Sequence, residues 1–283
     1  MQPHKKVKCE LAYPIALGVI EIFTMIANPL FIGIGGFVAG ILAGFLGIGG
    51  GTVLVPLLVA LGYQPIQAVA TSALAITITA LSGTIQNWRM GYIKPQRILA
   101  LGLPALISAQ IGVYLADKLP KTWLLFGFGL LLVVNLFLVE FRKRVIAKYR
   151  DQEQTSIGNP MISRIATGGT AGILAGLFGV GGGVIMVPLQ IILLGESIKT
   201  AIRTSLGVIV LTAISAAIGH AFKGNVLFIE GLLLGTGGLI GAQVSTRFLP
   251  KLPSQVVSFA FTSLLVILAI YTFWQSWQIY HGS

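Results

Sequence analysis

Acidic residues are scarce in this chain. Eight Asp and Glu stand against 19 Lys and Arg in 283 residues, and all charged residues together make up 10% of the sequence, where soluble domains carry about a quarter. Apart from Glu21, every acid lies at a segment end or in a loop. No carboxylate pair therefore sits in mid-segment, where cation and proton antiporters commonly keep one. Cysteine occurs once, at Cys9, which excludes an intrachain disulfide and a cysteine metal site. Period-two alternation of apolar and polar residues is missing too, and with it the pattern of a membrane β-barrel. The glycine runs lack the following Lys of a P-loop, and Thr52 and Val184 stand where a dinucleotide fingerprint needs its third glycine. There is no G-x-S-x-G element of a hydrolase. The reading that remains calls for no enzyme activity, no cofactor and no metal.

What the chain has in excess is apolar length. Hydrophobic residues reach 55% and the mean hydropathy is +0.90. Nearly charge-free stretches cover 11–30, 31–62, 65–87, 98–116, 122–139, 165–194, 204–219, 231–246 and 256–279, several of them near the roughly 20 residues that cross a bilayer as helix. This predicts an all-α polytopic membrane protein of the plasma or inner membrane, with the lipid bilayer as its main partner. The formal charge of +11 does not point to nucleic acid, because the basic residues sit in short connections, where they act as orientation signals. The densest run, RKRVIAKYRDQEQ at 142–154, falls in a basic linker, 142–162, expected on the cytoplasmic side. Residues 1–30 read as an uncleaved N-terminal helix, 31–141 as one repeat and 163–279 as a second.

The repeat rests on an echo. GFLGIGGGTVLVPLL at 44–58 returns 132 positions later as GLFGVGGGVIMVPLQ at 176–190. After a one-residue insertion Thr71-Ser72 pairs with Thr204-Ser205, Ala109-Gln110 with Ala242-Gln243, and Leu119-Pro120 with Leu252-Pro253. Tandem halves with interrupted apolar segments are a common plan of secondary transporters, with the substrate held where the halves meet.

Gly36, Gly40 and Gly44, like Gly168, Gly172 and Gly176, recur every four residues and read as a close helix-packing face. Three consecutive glycines occupy different faces of a helix. Gly49, Gly50 and Gly51, and Gly181, Gly182 and Gly183, therefore read as breaks, flanked in the first copy by 35–46 and 52–62, each expected to be about 16–18 Å long. The second half-helix begins at Thr52 or Val184 and aims its amides and positive dipole end into the break, an arrangement that attracts anions. On this reading Val at Gly50 or Gly182 abolishes transport in a folded protein, whereas Val at Gly40 harms folding.

The doubled GxxxGxxGxGGGxxxVPLL element, with AVATS and AIRTS and then SAQIG and GAQVS, resembles the sulfite exporter TauE/SafE family over nearly all of 36–140 and 168–272. The resemblance implies about seven or eight membrane helices and transport of sulfur-containing anions such as sulfite, sulfonates or sulfoacetate.

Polar residues near the breaks complete the candidate site. Thr71, Ser72, Thr204 and Ser205 can offer hydroxyls to an oxyanion or bond to their own backbone. Gln110 and Gln243 are either ligands or interhelical bridges. Arg203 is either the cation of the site or an interfacial side chain. The halves differ here, since Arg203 faces Ala70 and His220 faces Asn87 in the alignment. A passive anion channel is the nearest alternative. An intramembrane hydrolase with Ser72 or Ser205 as nucleophile and His220 as base is the remote one. Two topologies stay open: each glycine element crosses once and the halves run parallel, or it turns back as a re-entrant hairpin and the halves are inverted. Charge distribution favours inversion.

Overall fold

The computed structural model describes residues 29–148, 159–248 and 254–282, which form ten helices. These are α1 (Pro29–Leu46), α2 (Gly51–Ala60), α3 (Pro65–Arg89), α4 (Pro95–Lys118), α5 (Lys121–Lys148), α6 (Pro160–Phe178), α7 (Gly183–Leu194), α8 (Ile198–Phe222), α9 (Phe228–Phe248) and α10 (Ser254–Gly282). Residues 1–28 of the expected N-terminal helix, Cys9 and Glu21 among them, lie outside the described residues. Helices α1, α3, α4, α6, α8 and α9 are long and apolar enough to cross a membrane. At 28 and 29 residues, α5 and α10 also have the length.

The flanks of the first break differ from the sequence expectation. Helix α1 begins at Pro29 and has 18 residues, whereas α2 has 10, so the two measure about 27 and 15 Å. The hydrophobic stretch upstream of Gly35 joins α1 because nothing there breaks it. Both short helices start one residue earlier than Thr52 and Val184 suggested, at Gly51 and Gly183.

Each short helix folds back along its predecessor. Gly50 lies against the backbone of Ala39, and further down the pair Gly35 lies against the side chain of Leu57. Gly182 lies against Ala171, halfway along α6, and Leu194 and Gly195 end beside Pro160 and Arg164. Both elements are therefore hairpins whose two outer ends share one face of the bundle. Four pairings fix the rest. The guanidinium of Arg203 sits 3.5 Å over the ring of Tyr92, and Arg97 Nη1 reaches Glu196 Oε1 at 3.3 Å. These join the end of α3 and start of α4 to the end of α7 and start of α8. At the other face Lys223 Nζ bonds Asp117 Oδ2 at 2.9 Å, and the Tyr63 hydroxyl donates to Glu230 Oε1 at 3.2 Å. A chain whose glycine elements crossed once each would set Tyr92 and Arg203 on opposite faces.

Helix α1 packs chiefly on α9, α6 on α4, and α3 on both α9 and α8. The four-residue glycine rows explain the closeness of the first two pairs. A Cβ on Gly36 or Gly40 would overlap the carbonyl of Leu234 or Gly238, and one on Gly168, Gly172 or Gly176 that of Leu101, Ala105 or Ala109. These glycines are packing residues, as their spacing predicts. The outer surface is apolar: on α4, Leu103, Ile107, Ile111 and Tyr114 face out while Leu101, Ala105, Ala109 and Val113 are buried. An apolar stripe of this size belongs in lipid. Exposed Trp88 stands near one face, and Trp123, Trp274 and Trp277 near the other, where aromatic residues commonly mark the membrane boundary.

Candidate functional site

The two breaks meet at the centre. Gly49 and Gly181 contact the same two side chains, Ile76 of α3 and Ile209 of α8, both fully buried. Gly51 rests on Gly179 and Val180, and Gly183 rests on Gly47 and Ile48. The backbones thus cross with no side chain between them. Gly49 and Gly50 have φ of 81° and Gly181 and Gly182 have 75° and 77°, a left-handed conformation that glycine alone adopts cheaply.

This contact changes the reading of the glycines. Any Cβ on Gly50 would press on the Ala39 carbonyl at 2.9 Å, and one on Gly182 would overlap that of Ala171. Valine at either position is therefore expected to damage folding as well as transport, and the contrast with Gly40 drawn from sequence does not hold. The glycines of the breaks are needed for backbone approach, not only to bare their amides.

Hydroxyls hold the breaks in place. Ser72 donates to Val69 O at 2.9 Å and to Gly179 O at 2.8 Å, and Ser205 donates to Gly47 O. Each serine thus clamps the break of the other half of the chain. Thr212, which sequence reasoning overlooked, reaches Gly181 O at 3.1 Å as well as carbonyls of its own helix. Its position seven residues after Ser205, on the same face of α8, was the available signal. Thr71 Oγ1 accepts from Leu227 N at 3.1 Å, which secures the approach to α9. Thr204 is buried beside Ser205.

The remaining predicted residues lie elsewhere. Gln110 donates from Nε2 to Ser215 O at 2.7 Å and Ser215 Oγ at 2.8 Å, bridging α4 to α8. Gln243 makes the matching, longer contact with Ser82 O at 3.4 Å. Their amides thus serve as interhelical bridges. Arg203, stacked on Tyr92, sits at the face of the bundle and not in the break. His220 is fully buried, and its Nε2 donates to Gly176 O at 3.0 Å.

Three groups at or near the hairpins have no protein partner among the described residues. No side chain caps the start of α2 or α7, so their first amides are available to an anion. The hydroxyl of Thr52, in the first turn of α2, is buried and unpartnered. So are both amide atoms of Gln190 on α7, a residue the sequence reading did not select although Leu58 stands at its repeat position. All residues from 46 to 52 and from 178 to 184 are buried.

Residues 32–272 match the family described as Sulfite exporter TauE/SafE. The chain belongs to that family. Relatives agree: it is 28% identical over 225 residues to the probable membrane transporter protein YdhB of Bacillus subtilis, covering 79% of this chain and 91% of that one. It is 26% identical to YunE of the same organism, over 82% of this chain and 93% of the relative. A probable membrane transporter protein of Xylella fastidiosa is 30% identical over 87% of this chain and 95% of its own. This TauE/SafE chain is a multi-pass membrane transporter, and the matched span takes in both glycine breaks and every helix from α2 to α9.

Proposed function

We propose that the protein is a secondary carrier of small anions, sulfur oxyanions or sulfonates in the first place, working by alternating access between two inverted halves. The observation that carries this reading is the meeting of two uncapped helix starts, α2 and α7, in one buried place. Their dipoles converge where no cation or acid of the described residues competes, and such ends stabilise negative charge. Thr52 adds a free hydroxyl from one side. Ser72 and Ser205 act as supports, since their protons are already given to Gly179 and Gly47. Gln110, Gln243 and Arg203 are left out of the site.

The face that carries Arg89, Lys94, Arg97, Arg164, Lys199, Arg203 and Arg247 is assigned to the cytoplasm by the excess of basic residues there. Burial of both breaks favours a carrier over an open channel, because an anion reaches them only after the bundle rearranges. The family description supplies the sulfur chemistry.

Counterflow in proteoliposomes tests the proposal. Labelled sulfite should enter against its gradient when vesicles are preloaded with unlabelled sulfite or a sulfonate, with saturation and without ATP. Flux that rises linearly with concentration and shows no counterflow would leave a channel. Counterflow of carboxylates alone would remove sulfur anions from the proposal.

A further inference from the structure

We infer that the cavity between the outer ends of the α6–α7 hairpin and the starts of α4 and α8 is a second anion site, a vestibule for oxyanions on the basic face. It goes beyond the central site proposed above and stands on different residues. The cavity measures about 410 Å³ and is lined by Arg97, Arg164, Leu194, Glu196, Ser197 and Thr200. Two guanidiniums from two different helices face one opening. Arginine's rigid fork suits oxyanions better than any other side chain. Helix α8 opens into the same space, with Ser197 as its N-cap and Thr200 in the first turn.

Glu196 is the internal competitor for these arginines. Its Oε1 holds Arg97 at 3.3 Å, while its Oε2 is buried and has no hydrogen-bond partner. An anion that takes Arg97 must displace this carboxylate, and protonation of Glu196 releases the arginine. Burial pushes the Glu196 carboxyl up, against the opposing pull of Arg97 on α4, Arg164 on α6 and Lys94 just before α4. Anion binding is therefore expected to tighten as pH falls.

The other face shows that this is not a by-product of the repeat. The positions that match Glu196 and Arg97 are Tyr63 and Glu230, which make the equivalent contact as a neutral donor to a carboxylate. Ile32 stands where Arg164 does. The scaffold has this joint on both faces, and only one of them is cationic.

The test uses a local readout. Thr200→Cys is made in the full chain with Cys9→Ser and reconstituted in phosphatidylcholine nanodiscs, and its labelling by a neutral maleimide is followed against inorganic sulfate. Chloride at matched ionic strength is the control. Sulfate should slow labelling saturably. Arg97→Gln and Arg164→Gln should each raise the half-protecting concentration about tenfold. Glu196→Gln should lower it and abolish its pH dependence, and Glu230→Gln should change nothing. Protection that survives in the Arg97→Gln, Arg164→Gln double variant overturns the site. Protection by phosphatidylglycerol nanodiscs without sulfate, with no further effect of sulfate, overturns the free-anion source and assigns the oxyanion to a lipid headgroup. Loss of counterflow with protection intact would sink the central carrier reading and leave the vestibule standing.

Discussion

The two glycine hairpins are built alike and furnished differently. Both start their short helix at a left-handed glycine, Gly50 with φ, ψ of 81° and −11°, Gly182 with 77° and −13°. Both breaks are clamped by a serine from the other half. Yet Thr52 is matched by Val184, Leu58 by Gln190, and Asn87 by His220. The glycines of the breaks and the serines that clamp them are duplicated, whereas the unpartnered Thr52 and Gln190 and the buried His220 each occur in one half only. Backbone geometry tolerates little variation at a close crossing, whereas a ligand that is itself asymmetric gains nothing from a symmetric set of partners. The comparison separates scaffold from chemistry within one chain, and it can be broken experimentally at each level.

The largest effect is expected from alanine at the left-handed glycines. Gly182→Ala should lose about 3 kcal/mol of stability, because strain at positive φ adds to overlap with a carbonyl. Gly50→Ala, whose Cβ finds Ala39 O at 2.9 Å, should lose about half as much. Thermal unfolding in detergent would show it, and equal losses would mean that the two hairpins relax equally. Next come the serine clamps. Ser205→Ala strands the buried Gly47 carbonyl and should cost about 1–3 kcal/mol. Ser72→Ala should cost less, because its proton is shared between Val69 O and Gly179 O.

Smaller, but more telling for function, is the exchange of Thr52 and Val184. Thr52→Val removes an unpartnered hydroxyl and should raise stability by up to about 1 kcal/mol while weakening counterflow severalfold. Undiminished counterflow would take Thr52 out of the site, and Val184→Thr should not restore what Thr52→Val loses. The weakest effect concerns pH. The folded protein raises the Glu196 carboxyl above its ordinary value of 4.5, so its contribution to stability is fully present below that value and is lost as pH rises through the folded one. Unfolding temperatures followed from pH 4 to about 7 should fall less steeply with rising pH in Glu196→Gln than in the parent. Parallel curves would contradict the assignment.

Much of the fold is written in local pattern. Apolar length marks the helices, and glycine at every fourth position in 36–44 and 168–176 marks the faces that pack closest. Consecutive glycines locate both breaks to within a residue. What a linear pattern does not contain is the identity of a partner. Ser72, Ser205, Gln110 and Gln243 share the same appearance in sequence, polar residues in apolar helices, yet the serines end at the breaks and the glutamines between α4, α8, α9 and α3. That outcome depends on which helix arrives opposite, a choice made by surfaces far apart in the chain. The same holds for the vestibule: Arg97, Arg164 and Glu196 are unremarkable in three separate connections and form a site only after the hairpin folds back. Helix α1 runs longer than the 35–46 flank because nothing in its apolar run upstream of Gly35 interrupts it.

The pairing of α1 with α9 also has a history. Ser245, whose hydroxyl approaches Gly40 O, lies 205 positions after it, and the glycine row of α1 meets α9 through Leu234, Gly238 and Ser245. At about 5–20 residues per second of synthesis, the first hairpin waits in the membrane for tens of seconds before its partner is made. During that interval its bare backbone is a docking face for any small-residue helix nearby, including α9 of a neighbouring nascent chain. Ribosomes translating one message in close succession would bring such helices together, so exchange of α9 between chains is the assembly error this architecture invites.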